Sequence, residues 1–405
     1  NNIEVTPCAL VSGNELAIHM GLPRKSVRGL PVVEHADFAK EIVTYERRDE
    51  DSGIVLGKIY SMGQETASKV RIDVPSLAMH TFVTGSTGSG KSNTMYGLIK
   101  QAQMNGATFM VIEPAKGEYK HIFGNQANVH VFGTNPAFSE LLKINPFKFP
   151  DNIHVLEHID RLIEIFNVCW PMYAAMPAVL KDAVLKSYED CGWNLDTSKN
   201  KYYITMYPTF KDLEDALIHV INESAYSGEM KSNYIGSLVT RVKSLTNGLN
   251  GQIFTYQNIP SEILYDENVI IDLSRVGSME TKSLIIGLLI MGLSEYRISS
   301  SDSMNIPFKH MTVLEEAHNI LKRTSTEQNN ESPSLMGKSV EMISNAIAEM
   351  RTYGEGFVIV DQSPSAVDIT AIRNTNTKII MRLPDENERR FVGNAAGLDD
   401  DQIDE

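Results

Sequence analysis

Residues 81–95 read TFVTGSTGSGKSNTM, an apolar strand that breaks into a glycine-rich turn and resumes as a helix. Within it, Gly85-Ser86-Thr87-Gly88-Ser89-Gly90-Lys91-Ser92 fits G-x-x-x-x-G-K-[ST]. No other feature limits the fold so strongly. Glycines let the backbone take positive φ and turn its N–H groups onto phosphate oxygens. The helix opening near Lys91 adds the positive end of its dipole. Lys91 is expected to reach the β- and γ-phosphates of ATP and the Ser92 hydroxyl to ligate Mg²⁺, with Asn93 completing the binding loop. A chance Gly/Ser turn lacks the flanking elements. Here a strand precedes and the helical pattern NTMYGLIKQAQM follows, so the stretch reads as a nucleotide-binding P-loop.

Such a loop belongs to a parallel sheet, and the chain from His80 onward supplies one. Apolar runs at 80–85, 107–114, 128–133, 268–274, 310–316, 356–362 and 377–383 alternate with helical patterns, the rhythm of βαβ units. Several are nearly continuous apolar runs, as strands buried on both faces require. At 405 residues the chain is too long for one ordinary core. Residues 1–75 alternate short apolar runs with turn signals and are expected to form a small β-rich module. Residues 76–149 open the α/β core and 256–405 complete it. Between them, 150–255 carries apolar residues at helical spacing and reads as a helical insertion. The polar stretch RTSTEQNNESPSLMG (323–337) is expected to be a mobile loop behind the fifth core strand.

The second requirement is acidic chemistry at neighbouring strand ends. In MTVLEEAH (311–318), Glu315 would hold the Mg²⁺ shell, directly or through water, and Glu316 would orient or deprotonate the attacking water. His318 either senses the γ-phosphate or contacts a neighbour. Gln362, at the end of GFVIVDQ, either reads the γ-phosphate or caps the next turn. In IEPAKGEYKH (112–121), Glu113 is placed to polarise water, while Lys116, Lys120 and His121 either face a channel or form a plain polar loop. Arg351 closes the helix 339–354, as a charge complementing the dipole or as a finger offered to a neighbouring subunit. Arg373, Lys378, Arg382, Arg389 and Arg390 form the densest basic stretch and are expected to be mostly solvated. HVLEH (154–158) fits H-x-x-E-H, a zinc-protease pattern, but no third ligand stands nearby. It is expected to be helix surface.

Composition narrows the setting. Three cysteines, Cys8, Cys169 and Cys191, are too few and scattered for a disulfide framework or a zinc site. The longest apolar run, 284–293, is shorter than the roughly 20 residues that cross a bilayer. No charged, apolar leader opens the sequence, so a cytoplasmic protein without a membrane is expected. A start at Asn1 and an end at Glu405 read as a chain trimmed at both ends. The formal net charge of −14 argues against a surface coated with basic residues, though a channel needs positive charge only where phosphates pass.

Taken in order, HTFVTGSTGSGKS, IEPAKGEY, VLEEAH and AEMRTYGEGFVIVDQSP resemble the HerA branch of the HerA/FtsK P-loop ATPases, over most of residues 53–390. The resemblance implies a RecA-like core behind a small β-barrel, with a helical insertion, assembled as a hexameric ring that moves double-stranded DNA. It assigns Lys91 and Ser92 to ATP·Mg²⁺, Glu316 as catalytic base, Gln362 as sensor and Arg351 as an arginine acting in trans. Family members often carry Asp-Glu-Ala-His and Asp-Pro-His-Gly-Glu-Tyr where this chain has Glu315-Glu316-Ala317-His318 and EPAKGEY. Those departures resemble a bacterial side branch linked to anti-phage defence, whose rings pair with an effector such as a nuclease or a sirtuin-like NADase. Two other readings share the motifs: a conjugation- or secretion-type ATPase moving polypeptide, and an ATP-bound ring that only organises an effector.

Overall fold

The computed structural model describes residues 53–61, 63–301, 303–324 and 335–405, with scattered positions between 12 and 39. It divides into one unit of residues 40–397 and a second of residues 1–39 with 398–405. In the second unit, the helix Asp400–Asp404 begins with a capping box between Asp399 and Gln402. Gln402 also donates to the Asp37 carbonyl at 2.7 Å.

In the larger unit the first elements are an antiparallel hairpin, β1 (Ile54–Ser61) and β2 (Gln64–Ile72). The rest of the expected N-terminal β-rich module falls mainly outside the described residues. Next come β3 (Thr81–Thr84), β4 (Thr108–Glu113), β5 (Val129–Gly133) and the short β6 (Glu140–Leu141). A two-residue hairpin, β7 (Trp193–Asn194) with β8 (Lys199–Asn200), sits in the helical insertion. The core resumes with β9 (Asn268–Asp272), β10 (His310–Leu314), β11 (Glu355–Asp361) and β12 (Thr377–Ile380). Every apolar run read as a core strand is one, and β6 adds an edge strand too short to show a pattern. The sheet order is β12-β3-β11-β10-β4-β9-β5-β6, parallel throughout. The chain therefore has the α/β, RecA-like architecture expected of it.

Because strand side chains alternate, each strand feeds two cores. Val83, Val111, Ile270, Val313 and Val360 pack on one face with Met95, Leu98 and Ile99 of α1 (Lys91–Met104). Phe82, Ile112, Ile271, Leu314 and Ile359 face the opposite way. There they meet α2 (Val155–Cys169), α3 (Met176–Asp190), α4 (Phe210–Glu223), α5 (Met279–Ser300) and α6 (Leu335–Glu349) in one continuous hydrophobic cluster. The inserted helices share that core with the sheet. Each fully buried aliphatic side chain there contributes about 1.5–3 kcal/mol. Helix α5, with α2 packed against it through Gly287, explains the apolar run 284–293. The whole helix is long and apolar enough to cross a membrane by length and composition, beyond what the run alone indicated, yet 72% of its most apolar window is buried in the protein.

Two expectations are corrected. HVLEH is not helix surface: His154 lies outside α2 as its N-cap, accepting from the Leu156 N–H, while His158 is wholly buried. The His158 Nδ1 lies 2.9 Å from Glu295 and its Nε2 3.1 Å from the Pro146 carbonyl, so it ties the insertion to α5. Of the stretch read as a loop at 323–337, residues 335–337 belong to α6 instead. Residues 325–334 of that stretch lie outside the described residues. Among the described residues Cys169 and Cys191 are free and buried.

Candidate nucleotide site

Every strand of the sheet ends on the same side, and the backbone there is where ligands bind in such folds. The loop after β3 begins where no side chain fits: a Cβ on Gly85 would come within 2.7 Å of the Met381 Cβ. Gly88 and Gly90 take φ of 79° and 97°, the left-handed region that turns consecutive N–H groups to one side. The loop is pinned from behind by β12's extension, since Ser86 donates both its N–H and its hydroxyl to the Arg382 carbonyl, each at 3.0 Å. Helix α1 then starts at Lys91 with Gly90 as its N-cap. Ser86, Thr87, Gly88, Gly90, Lys91, Ser92 and Asn93 line a cavity of about 250 Å³ together with Lys116 and Gln362.

Lys91 is nine-tenths buried and, among the described residues, its Nζ has no hydrogen-bond partner. Burial holds its pKa below the usual lysine value, against the pull of Glu315, Glu316 and Asp361. Glu315 has the mirror problem. Burial pushes its carboxyl up, although the Tyr119 hydroxyl, donating to it at 2.5 Å, and Lys91 pull the other way. Each charge is desolvated more than the other compensates. A phosphate at Lys91 and a divalent cation at Glu315 and Ser92 would satisfy both, so the residues present fit Mg²⁺ and a nucleotide.

The next residue, Glu316, lies at the turn after β10 in the left-handed region, φ 48°, unusual for a side chain of this size. Asn319 holds that turn by donating its backbone N–H to the Glu316 carbonyl at 2.9 Å. Gln362, at the end of the adjacent β11, donates from Nε2 to Glu316 at 2.8 Å. Its Oε1 accepts from the Thr87 hydroxyl at 2.9 Å. One glutamine thus bridges the P-loop and the carboxylate expected to act as base.

Asp361, one residue before Gln362, was not singled out in the sequence. It is almost wholly buried and accepts the His318 backbone N–H at 2.9 Å, with the His318 Nδ1 at 2.8 Å. That hydrogen bond to Asp361 raises the imidazole's pKa. His318 is therefore committed to β11 and braces the turn that carries Glu316. Its only sequence signal was an aspartate at a strand end.

Glu113 ends β4 beside this cluster. Its two oxygens accept the N–H groups of Glu118 and Tyr119, at 2.7 and 3.2 Å, and burial raises its pKa to about 7. It shapes the loop that follows. Lys120 of that loop pairs with Asp272 at 2.7 Å and is a structural contact. Arg351 is apart from all this. It is exposed on a 3-10 turn, Met350–Tyr353, that enters the amino end of β11, whereas the P-loop leaves the carboxyl end of its parallel neighbour β3. Among the basic stretch, Arg390 pairs with Glu386 within α7 (Glu386–Ala396), and Arg389 donates to the Leu383 and Pro384 carbonyls. A larger cavity, of about 500 Å³, lies elsewhere, lined by Phe149, Pro260, Tyr265 and Tyr296. Its buried carboxylate, Glu295, is already engaged by His158 and Arg161. It holds no part of the phosphate loop, and the smaller cavity is the better candidate despite its size.

Residues 54–292 match the family described as "Helicase HerA, central domain", more than half of the chain. The chain is 23% identical over 375 residues to a Methanocaldococcus jannaschii protein named as a probable helicase, covering 84% of this chain and 65% of that one. It is 21% identical over 406 residues to the DNA double-strand break repair helicase HerA of Sulfurisphaera tokodaii, covering 97% of this chain and 74% of that one. The chain thus spans about two thirds to three quarters of the length of these relatives. In fold it is similar to VirB4 of Thermoanaerobacter pseudethanolicus, with a TM-score of 0.62 at 16% identity, over 88% of this chain and 91% of that one.

Proposed function

The chain belongs to the HerA helicase family through its central domain, and from that premise we propose that it is a P-loop ATPase working as a DNA translocase, a helicase-type motor on double-stranded DNA. The observation that carries the ATPase part of this reading is the Lys91 ammonium, which has no hydrogen-bond partner among the described residues and is set between a phosphate-sized cradle and the Glu315–Glu316 pair. Lys91 neutralises phosphate charge as the nucleotide enters. Ser92 and Glu315 would hold Mg²⁺, which when bound neutralises charge on the β- and γ-phosphate oxygens. Glu316 accepts the proton of the attacking water, and Gln362 orients that water or reads the γ-phosphate once it releases Thr87. Arg351 completes the site from a neighbouring subunit, which suits its exposure and its place at the far end of the strands. That arrangement requires a homo-oligomer, and we propose the hexameric ring of the family resemblance. We further propose that the cytoplasmic ring serves a separate effector, a nuclease or a sirtuin-like NADase, in anti-phage defence; co-purification of such an enzyme with the full-length protein tests this.

The fold likeness to VirB4 favours one other reading, a conjugation- or secretion-type motor acting on polypeptide. An ATP-bound scaffold ring with slow turnover is a third. Steady-state ATP hydrolysis with and without duplex DNA separates them. The expected result is stimulation by duplex that Lys91→Ala and Glu316→Gln both abolish, the latter by a factor of about 10²–10⁴ in kcat. Hydrolysis indifferent to duplex would overturn the translocase reading.

A further inference from the structure

The loop after β4 sets a second lysine over the phosphate cavity. Lys116 lines the P-loop cavity and also a smaller adjoining one walled by Glu113, Tyr119, Glu315 and Glu316. Besides Lys116, only Lys91, Ser92 and Gln362 border both spaces. The junction lies between the cradle that holds phosphates and the carboxylates that would handle water. A nucleoside triphosphate seated in the cradle would bring its last phosphate to this junction.

The backbone on either side of Lys116 is fixed while the side chain is not. Glu113 accepts the N–H groups of Glu118 and Tyr119, and the Tyr119 hydroxyl donates to Glu315. Gly117 takes φ 68° with its α-carbon against Asp272 and Ser274; an added Cβ would come within 3.1 Å of the Ser274 hydroxyl. Among the described residues the Lys116 ammonium has only a 4.0 Å approach to Glu118, with both side chains about half exposed. A pair of that length and exposure holds a side chain weakly. Lys120, four residues on, shows the contrast: it is locked to the buried Asp272 at 2.7 Å and borders neither cavity. Around the smaller cavity four carboxyl groups, Glu113, Glu118, Glu315 and Glu316, face two lysines. A terminal phosphate would add negative charge to a space already rich in it, and among the described residues lining that space Lys116 is the weakly held cation that can move onto it.

We propose that Lys116 binds the terminal phosphate and makes the site select a nucleoside triphosphate over the diphosphate. The inference rests on the nucleotide reading above. It also gives the loop a mechanical part, because drawing Lys116 onto a phosphate pulls on the segment whose Tyr119 holds Glu315.

Equilibrium binding to the full chain, with Mg²⁺, tests it. ADP and the non-hydrolysable β,γ-imido analogue of ATP are titrated into the wild type, Lys116→Ala and Lys116→Arg. Lys116→Ala is expected to weaken the triphosphate analogue roughly tenfold, the scale of one charge-assisted hydrogen bond, and to leave ADP within about twofold. Lys116→Arg is expected to restore most of the loss. Equal weakening of both nucleotides, or none of either, would overturn the proposal while leaving the ATPase reading intact. If the wild type binds neither nucleotide, the underlying reading fails and this inference falls with it.

Discussion

Glu113 shows how one buried carboxyl ties pH to stability. Its ordinary value is 4.5 and burial raises it to about 7 in the folded chain. A folded-state pKa above the unfolded one means the folded protein binds the proton more tightly between those values. The group's contribution is therefore fully present below pH 4.5 and is lost as pH rises through about 7. Urea midpoints are expected to fall between pH 5 and pH 8. Glu113→Gln is expected to flatten that fall by up to about 3 kcal/mol, since each tenfold change in proton affinity is worth about 1.36 kcal/mol. An unchanged slope in the variant would sink the assignment. At this scale the sequence was legible wherever the chemistry is contiguous. Gly85–Ser92 is one unbroken motif, and Glu315 and Glu316 are neighbours. Asp361 and Tyr119 were hidden because their partners lie 43 and 196 residues away. Nothing local marks an aspartate as the brace of a histidine on another strand.

Among elements, the strands were readable because a parallel sheet covered on both faces demands continuous apolar runs, and β9, β10 and β11 are buried along their whole length. The burial of His158 was not readable, since a histidine at the right helical spacing looks the same on a solvated face as against Glu295. The seam between α2 and α5 is close enough to test. A Cβ on Gly287 would stand 2.8 Å from the Ile165 Cγ2. Gly287→Leu is expected to destabilise the protein by about 1–3 kcal/mol in urea unfolding, and a neutral result would mean the two helices can part without cost. The 3-10 turn Met350–Tyr353 allows a different experiment. Its Arg351 enters at the end of the strands opposite the P-loop, the length of the seven-residue β11 away, or roughly 20 Å. If it acts in trans, Arg351→Ala and Glu316→Gln proteins are each inactive alone but recover part of the hydrolysis when mixed, because an intact glutamate then meets an intact arginine across one interface. Mixtures as dead as their components would leave Arg351 as a helix-end charge.

For the whole molecule, the net charge of −14 sets a condition on any nucleic-acid role. Contact with phosphates is then confined to local cationic positions, and stimulation by duplex is expected to fade with salt in proportion to the number of those contacts. The Lys91 ammonium, without a hydrogen-bond partner among the described residues, also bears on how long the protein survives. Because burial outweighs the pull of Glu315, Glu316 and Asp361 on it, the empty form is the more fragile one, and the supply of nucleotide becomes a thermostat. Ligand at a hundredfold over its Kd adds about 2.7 kcal/mol, a rise of a few degrees in melting temperature for a chain of this size. Lys91→Ala should do two opposite things in the same melting experiment, raising the transition of the empty protein and erasing its response to ATP. The residue most needed for turnover would then be one the resting fold does better without.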